Sequence, residues 1–224
     1  IDVLRGPEGI RGMQDRIRCD AWCGSRKIRG SLADGYILTE GMWDNPQHWP
    51  RVSMAVEALS RIHNVPALGL YGPKSRWQIR KSLSSTVQDI APYFQHGKYH
   101  EIASKLAHSL LESIKDHQEL LQVELPGGVP PSRLYDTLLR KQQAARVDLQ
   151  DTRTYPTVVY FIESCLNADE LVSPDKVKAV VSSHASSTYH SALGWLAVQR
   201  GIPFYLLGNY SGMIRKAICN QHPV

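Results

Sequence analysis

Hydrophobic and polar positions alternate along the chain in blocks that spell strand, helix, strand. The clearest block runs from Val177 to Tyr210. An apolar run (Val177 to Val181) ends in Ser182, Ser183 and His184, and a helical stripe of Tyr189, Ala192, Leu193, Leu196 and Ala197 follows. Gly201 stops that helix, and a second apolar run opens at Ile202. Short apolar runs separated by a helix-period segment are the mark of a β-α-β unit in a parallel sheet.

A second unit of this kind starts at Tyr36. Residues 36–39 read as a strand, and Pro50 opens a helix with Val52, Ala55, Val56, Leu59 and Ile62 on one face. Residues 65–70 then read as a buried strand. Helices are expected over about 74–90 and 98–121, the latter with Ile102, Leu106, Leu110, Ile114 and Leu121 as its apolar side. Residues 123–125 form a short predicted strand before Pro126, Gly127 and Gly128. A helix carrying Leu134, Leu138 and Leu139 comes next, then one over about 156–170, where residues 158–162 would also suit a strand by propensity. The expected fold is therefore α/β: a doubly wound parallel sheet of about five strands (near 36, 65, 123, 177 and 202) with helices on both faces. It would occupy residues 36–224, preceded by a basic segment, residues 1–35, of loop or short helices.

Composition is that of an ordinary globular protein, with 42% hydrophobic and 21% charged residues. No run approaches the roughly 20 apolar residues of a membrane-spanning helix. The net charge of +5 is concentrated at the front, in Arg5, Arg11, Arg16, Arg18, Arg26, Lys27 and Arg29. These are not interleaved with a nucleic-acid-binding motif, so such a partner is disfavoured, while anionic surfaces or phosphorylated substrates fit the charge equally well. Cys19 and Cys23 have no second Cys or His pair at zinc spacing, and Cys165 reads as a core residue. Neither a metal nor a disulfide is expected, and no cofactor is implied.

The glycine-rich dinucleotide fingerprint, the phosphate loop and the nucleophile elbow are all missing. What remains is a set of polar residues where strands end, the edge at which open parallel sheets bind ligands. Glu40 and Asp44 follow the first strand, Ser183 and His184 the strand at 177, and Asn209 the last. His184 is placed either to cap the next helix or to act as a base, since imidazole titrates near neutrality. Asp136 and Arg140 are four apart on one helix face. They read either as a surface ion pair or as a carboxylate and an anion clamp facing a cleft.

Two patches carry a resemblance. The run from Leu125 through Gly127 and Gly128 to Tyr135, Asp136 and Arg140 is one; the other is Val180 to His184 followed by Tyr189, Leu193, Ala197, Gly201, Ile202 and Pro203. Together they resemble motifs of bacterial surface-polysaccharide (capsule and lipopolysaccharide) glycosyltransferases of the GT-B type, some of them similar to Kdo transferases. Ser132 departs from that pattern, which often has an acidic residue there. The resemblance implies a Rossmann-like amino-terminal half that holds a glycan acceptor and the catalytic base. A nucleotide-sugar donor would be bound by a carboxyl-terminal domain beyond Val224. Asp136 or His184 would be the base, with Glu40, Asp44, Arg140, Ser183, Tyr189 and Asn209 in contact with substrate. A cytoplasmic location is expected, with peripheral association at the inner face of the membrane. Two other readings stay open: a polyol-phosphate transferase acting on a glycan, and a non-catalytic α/β binding module.

Overall fold

The computed structural model describes residues 30–40, 49–71, 87–92, 98–182, 188–207 and 214–217; for some of these, Glu40 and Tyr189 included, it describes the backbone alone. The chain divides into two compact units. Unit 1 comprises Ile1–Pro92, Ser173–His184 and Ala197–Val224; unit 2 comprises Tyr93–Val172 and Ala185–Leu196.

Unit 1 is α/β. Its strands are β1 (Tyr36–Glu40), β2 (Ala67–Tyr71), β3 (Val87–Pro92), β4 (Val177–Ser182), β5 (Phe204–Leu207) and β6 (Ile214–Ala217). They form one sheet in the order β3-β2-β1-β4-β5-β6. The first five run parallel, and β6 joins β5 antiparallel. A chain that starts mid-sheet, winds outward to one edge and then returns to wind toward the other is consistent with a Rossmann-like fold. Helix α1 (Trp49–His63) connects β1 to β2 and packs on β1 and β4. Its residues Val52, Val56 and Leu59 meet Ile37 of β1 and Ala179 and Val181 of β4 in one apolar cluster. Leu38 and Val180, which alternate with those residues, are buried as well. Burial on both faces explains why these strands read as unbroken apolar runs.

Unit 2 is helical: α2 (His100–Ser113), α3 (Pro131–Gln142) and α4 (Thr154–Leu171), with short 3₁₀ turns at Glu119–Gln122 and Pro126–Gly128. Helix α5 (Thr188–Gln199) contributes its residues up to Leu196. The core of this unit is built around Phe161 and Ile162 of α4, Leu134 and Leu138 of α3, and Leu120.

Three expectations are corrected. Residues 123–125 do not form a strand; the chain there links the two 3₁₀ turns, because Pro126 and two glycines follow at once. The helix expected over 74–90 gives way, at its carboxyl end, to β3. The apolar side of α2 is not the side that packs on α4. Ala103 and Ala107 are fully buried there, whereas Ile102 and Leu106 are 51% and 42% exposed. Small side chains let two helix axes approach closely, and α2 lies along α4 by that route.

Candidate functional site

Strand order reverses between β1 and β4, the point at which open α/β sheets bind ligands beyond the strands' carboxyl ends. The two strands end level with each other: Glu40 is in register with Ser182, and Thr39 with Val181. Apolar residues dominate both strands until this edge, where Thr39 and Ser182 bring buried hydroxyls. Thr39 Oγ1 has no hydrogen-bond partner among the described residues. A buried hydroxyl without a partner forfeits free energy that packing must offset, or that a ligand or water relieves.

Of the residues expected to form a site, Glu40 lies on this edge by its backbone position. Ser183 and His184 follow Ser182 directly in the chain but lie outside the described residues, as do Asp44 and Asn209. Tyr189 is on the first turn of α5. Asp136 and Arg140 belong to unit 2, on α3, and both are exposed. No ion pair joins them, so the expected i,i+4 pair is not formed in spite of its spacing.

Sequence reasoning missed a second polar assembly. His100 has no ligand partner on its own helix and reads as structural, yet its Nδ1 lies 2.8 Å from Oε1 of Glu163 on α4. Two turns further along α4, Glu170 accepts hydrogen bonds from Lys98 Nζ and Tyr99 Oη, each at 2.6 Å. Lys98 first, and Tyr99 second, hold the Glu170 carboxyl below its ordinary range. Between these carboxylates Asn167 Nδ2 donates to the Glu163 carbonyl at 2.9 Å. Tyr160, one turn before Glu163, is pushed up to about 12 by burial and then by the Glu163 charge. The one available signal was Glu163 itself, a carboxylate set inside the apolar run of α4. Cys165, also in that run, is buried and free, and burial raises its thiol above the ordinary range.

Among the described residues, no group of three His, Cys, Asp or Glu is placed to hold a metal ion. No described helix is long and apolar enough to cross a membrane. No protein-family model, curated protein or solved structure matches this chain.

Proposed function

We propose that the chain is glycosyltransferase-like, binding a glycan acceptor and serving the transfer of a sugar from a nucleotide-sugar in surface-polysaccharide assembly. In this reading the sheet is a doubly wound Rossmann-like one with helices on both faces. The observation that carries it is the level ending of β1 and β4 at the order reversal, with Glu40 opposite Ser182 and Ser183-His184 next in the chain.

The chemistry is a direct displacement. A base takes the proton of an acceptor hydroxyl as its oxygen bonds to the anomeric carbon, and the bond to the leaving phosphate oxygen breaks. His184 would be the preferred base, since it comes two residues after Ser182, where β4 ends; Asp136 is the other candidate. Glu40, Asp44, Ser183, Tyr189 and Asn209 would hold acceptor hydroxyls, and Arg140 an anionic group. The nucleotide-sugar would be bound by a further domain. Action at the cytoplasmic face of a membrane, by peripheral association, would suit a polymer-assembly enzyme with a basic amino-terminal segment.

The deciding experiment incubates the complete gene product with labelled nucleotide-sugars and oligosaccharide acceptors. Transfer is expected, with a loss of about 10²–10⁴-fold in His184→Ala or Asp136→Ala if proton abstraction is removed. Full activity in both variants would discard the site assignment. Transfer of a polyol phosphate instead of a sugar, or acceptor binding without any transfer, would replace the reading itself.

A further inference from the structure

Residues 143–153 of unit 2 have no regular secondary structure, yet side-chain hydrogen bonds tie them down at two points. The buried Gln142 side chain donates to the Asp148 carbonyl and to Thr154 Oγ1, both at 2.8 Å, and accepts the Asp148 N–H at 2.9 Å. Arg153 grips Asp151 with two guanidinium nitrogens, at 2.9 and 2.6 Å, and reaches the Lys141 carbonyl at 3.1 Å. Within the same unit, the turn after α2 is fastened separately. Asp116 Oδ1 accepts the N–H groups of Gln118 and Glu119 at 2.7 and 3.1 Å. Loops normally hold their shape less well than the elements they join. Two loops held this way are what a preorganised binding site requires.

Both loops line a cleft of about 620 Å³, to which α2 and the turn after it bring His108, Lys115 and His117, the second loop Arg146 and Asp148, and the start of α4 Tyr155. Its volume falls within the roughly 300–1,000 Å³ of small-ligand sites. Leu111, Ile114, Val147 and Leu149 supply apolar surface. Tyr155 is 45% exposed, and the His117 ring is steadied by Tyr135, with centroids 6.3 Å apart.

The charges decide what fits. Lys115 and Arg146 have no ion-pair partner among the described residues, but Glu112, Asp116 and Asp148 line the same cleft. Glu112 is held by His108 Nε2 at 3.2 Å, and Asp116 and Asp148 stand against the two cations, so the lining offers a polyanion no net attraction, which disfavours nucleic acid and polyphosphate. A ligand whose groups both donate and accept hydrogen bonds matches such a mixed lining, because each hydroxyl offers one donor and two acceptor positions. The exposed tyrosine face adds an apolar platform with a polar tip. We propose that this cleft of unit 2 is a binding site for a neutral saccharide, distinct from the β1/β4 edge. The inference rests on the cleft alone and does not require that the chain catalyse transfer.

Saturation-transfer NMR on the complete chain, with maltose, cellobiose and lactose as probes, tests it. At least one disaccharide should show transfer that inorganic phosphate does not displace. Tyr155→Ala and Asp148→Asn should each weaken binding about tenfold, the effect of losing one good contact. Tyr155→Phe, which keeps the ring, should bind nearly as the parent does. Absence of transfer to all three probes would overturn the proposal. Displacement by phosphate would make the cleft an anion site instead. Binding that survives both Tyr155→Ala and Asp148→Asn would place the saccharide elsewhere, which ends this proposal and leaves the sheet-edge reading standing.

Discussion

Nδ1 of His100 lies 2.8 Å from Oε1 of Glu163, a contact across 63 positions of sequence that ties the first turn of α2 to the middle of α4. The carboxylate is largely buried, and the ring is mostly in water. With Glu163 ionised, the ring donates through Nδ1 and leaves Nε2 toward solvent. Removing the ring strips a buried charged group of its partner, which costs about 1–3 kcal/mol or more. His100→Ala should therefore destabilise the folded state and lower the urea midpoint, and Glu163→Gln should recover part of that loss in the double variant. A double-mutant cycle with no coupling would mean that the contact contributes nothing.

The α2–α4 interface makes an inverted prediction about size. Ala103 and Ala107 are fully buried against α4, so Ala103→Leu should overpack the interface and cost about 1–3 kcal/mol. Ile102→Ser, at a residue half exposed, should change stability by no more than about 0.5 kcal/mol. Equilibrium denaturation of the two variants gives the comparison, and equal effects would contradict the packing described.

Two neighbouring glycines separate backbone strain from contact. Gly127 and Gly128 both have positive φ, at 70° and 64°. A Cβ at Gly127 would come within 2.9 Å of Leu196 Cδ2, whereas one at Gly128 meets nothing within 4 Å. Gly128→Ala should cost only the left-handed penalty of about 1–2 kcal/mol. Gly127→Ala should cost more, by whatever the Leu196 tip cannot yield. Chemical denaturation of the pair would reveal it, and the reverse ranking would be incompatible with this geometry.

Acid should loosen unit 2 at two defined points. The Arg153 side chain, then its backbone N–H, pulls Asp151 down to about 2 from 3.8. Lys98 and Tyr99 lower Glu170 from 4.5. Groups depressed by folding stabilise the native state above their unfolded values, and that contribution disappears as pH falls through the folded ones. Stability should accordingly drop for Asp151 between about pH 4 and pH 2, with Glu170 adding to the loss from just above that window. Asp151→Asn should flatten the acid limb of melting temperature against pH; an unchanged limb would show that this pair does not couple to folding.

The strands at 36, 67, 177 and 204 were legible because β-branched and aliphatic runs are hard to mistake when both faces are buried. β3 was not, for a physical reason. It is an edge strand, and edges tolerate Gln88, Asp89 and a closing Pro92 that a central strand would reject. The burial of α2 was misread because periodicity marks large apolar residues, while its packing uses alanines. The strand ends near Glu40 and Ser182 followed from where the apolar runs stop; the pairing of β1 with β4 did not. The His100–Glu163 and Gln142–Asp148 contacts did not, since nothing local in a sequence states which distant or looped-back residue a polar side chain will meet.

The chain leaves the sheet at Pro92 and re-enters it after Val172, so the two central neighbours, β1 and β4, are made far apart in time. Closing so long a loop is entropically slow, whereas the helical contacts of unit 2 are comparatively local. During synthesis β1, β2 and β3 emerge first, with the inner edge of β1 unpaired until β4 arrives. An unpaired edge is an invitation to other chains. The seam at the sheet's middle thus stays open throughout synthesis of the helical unit, and the nascent chain is most vulnerable to aggregation during that interval.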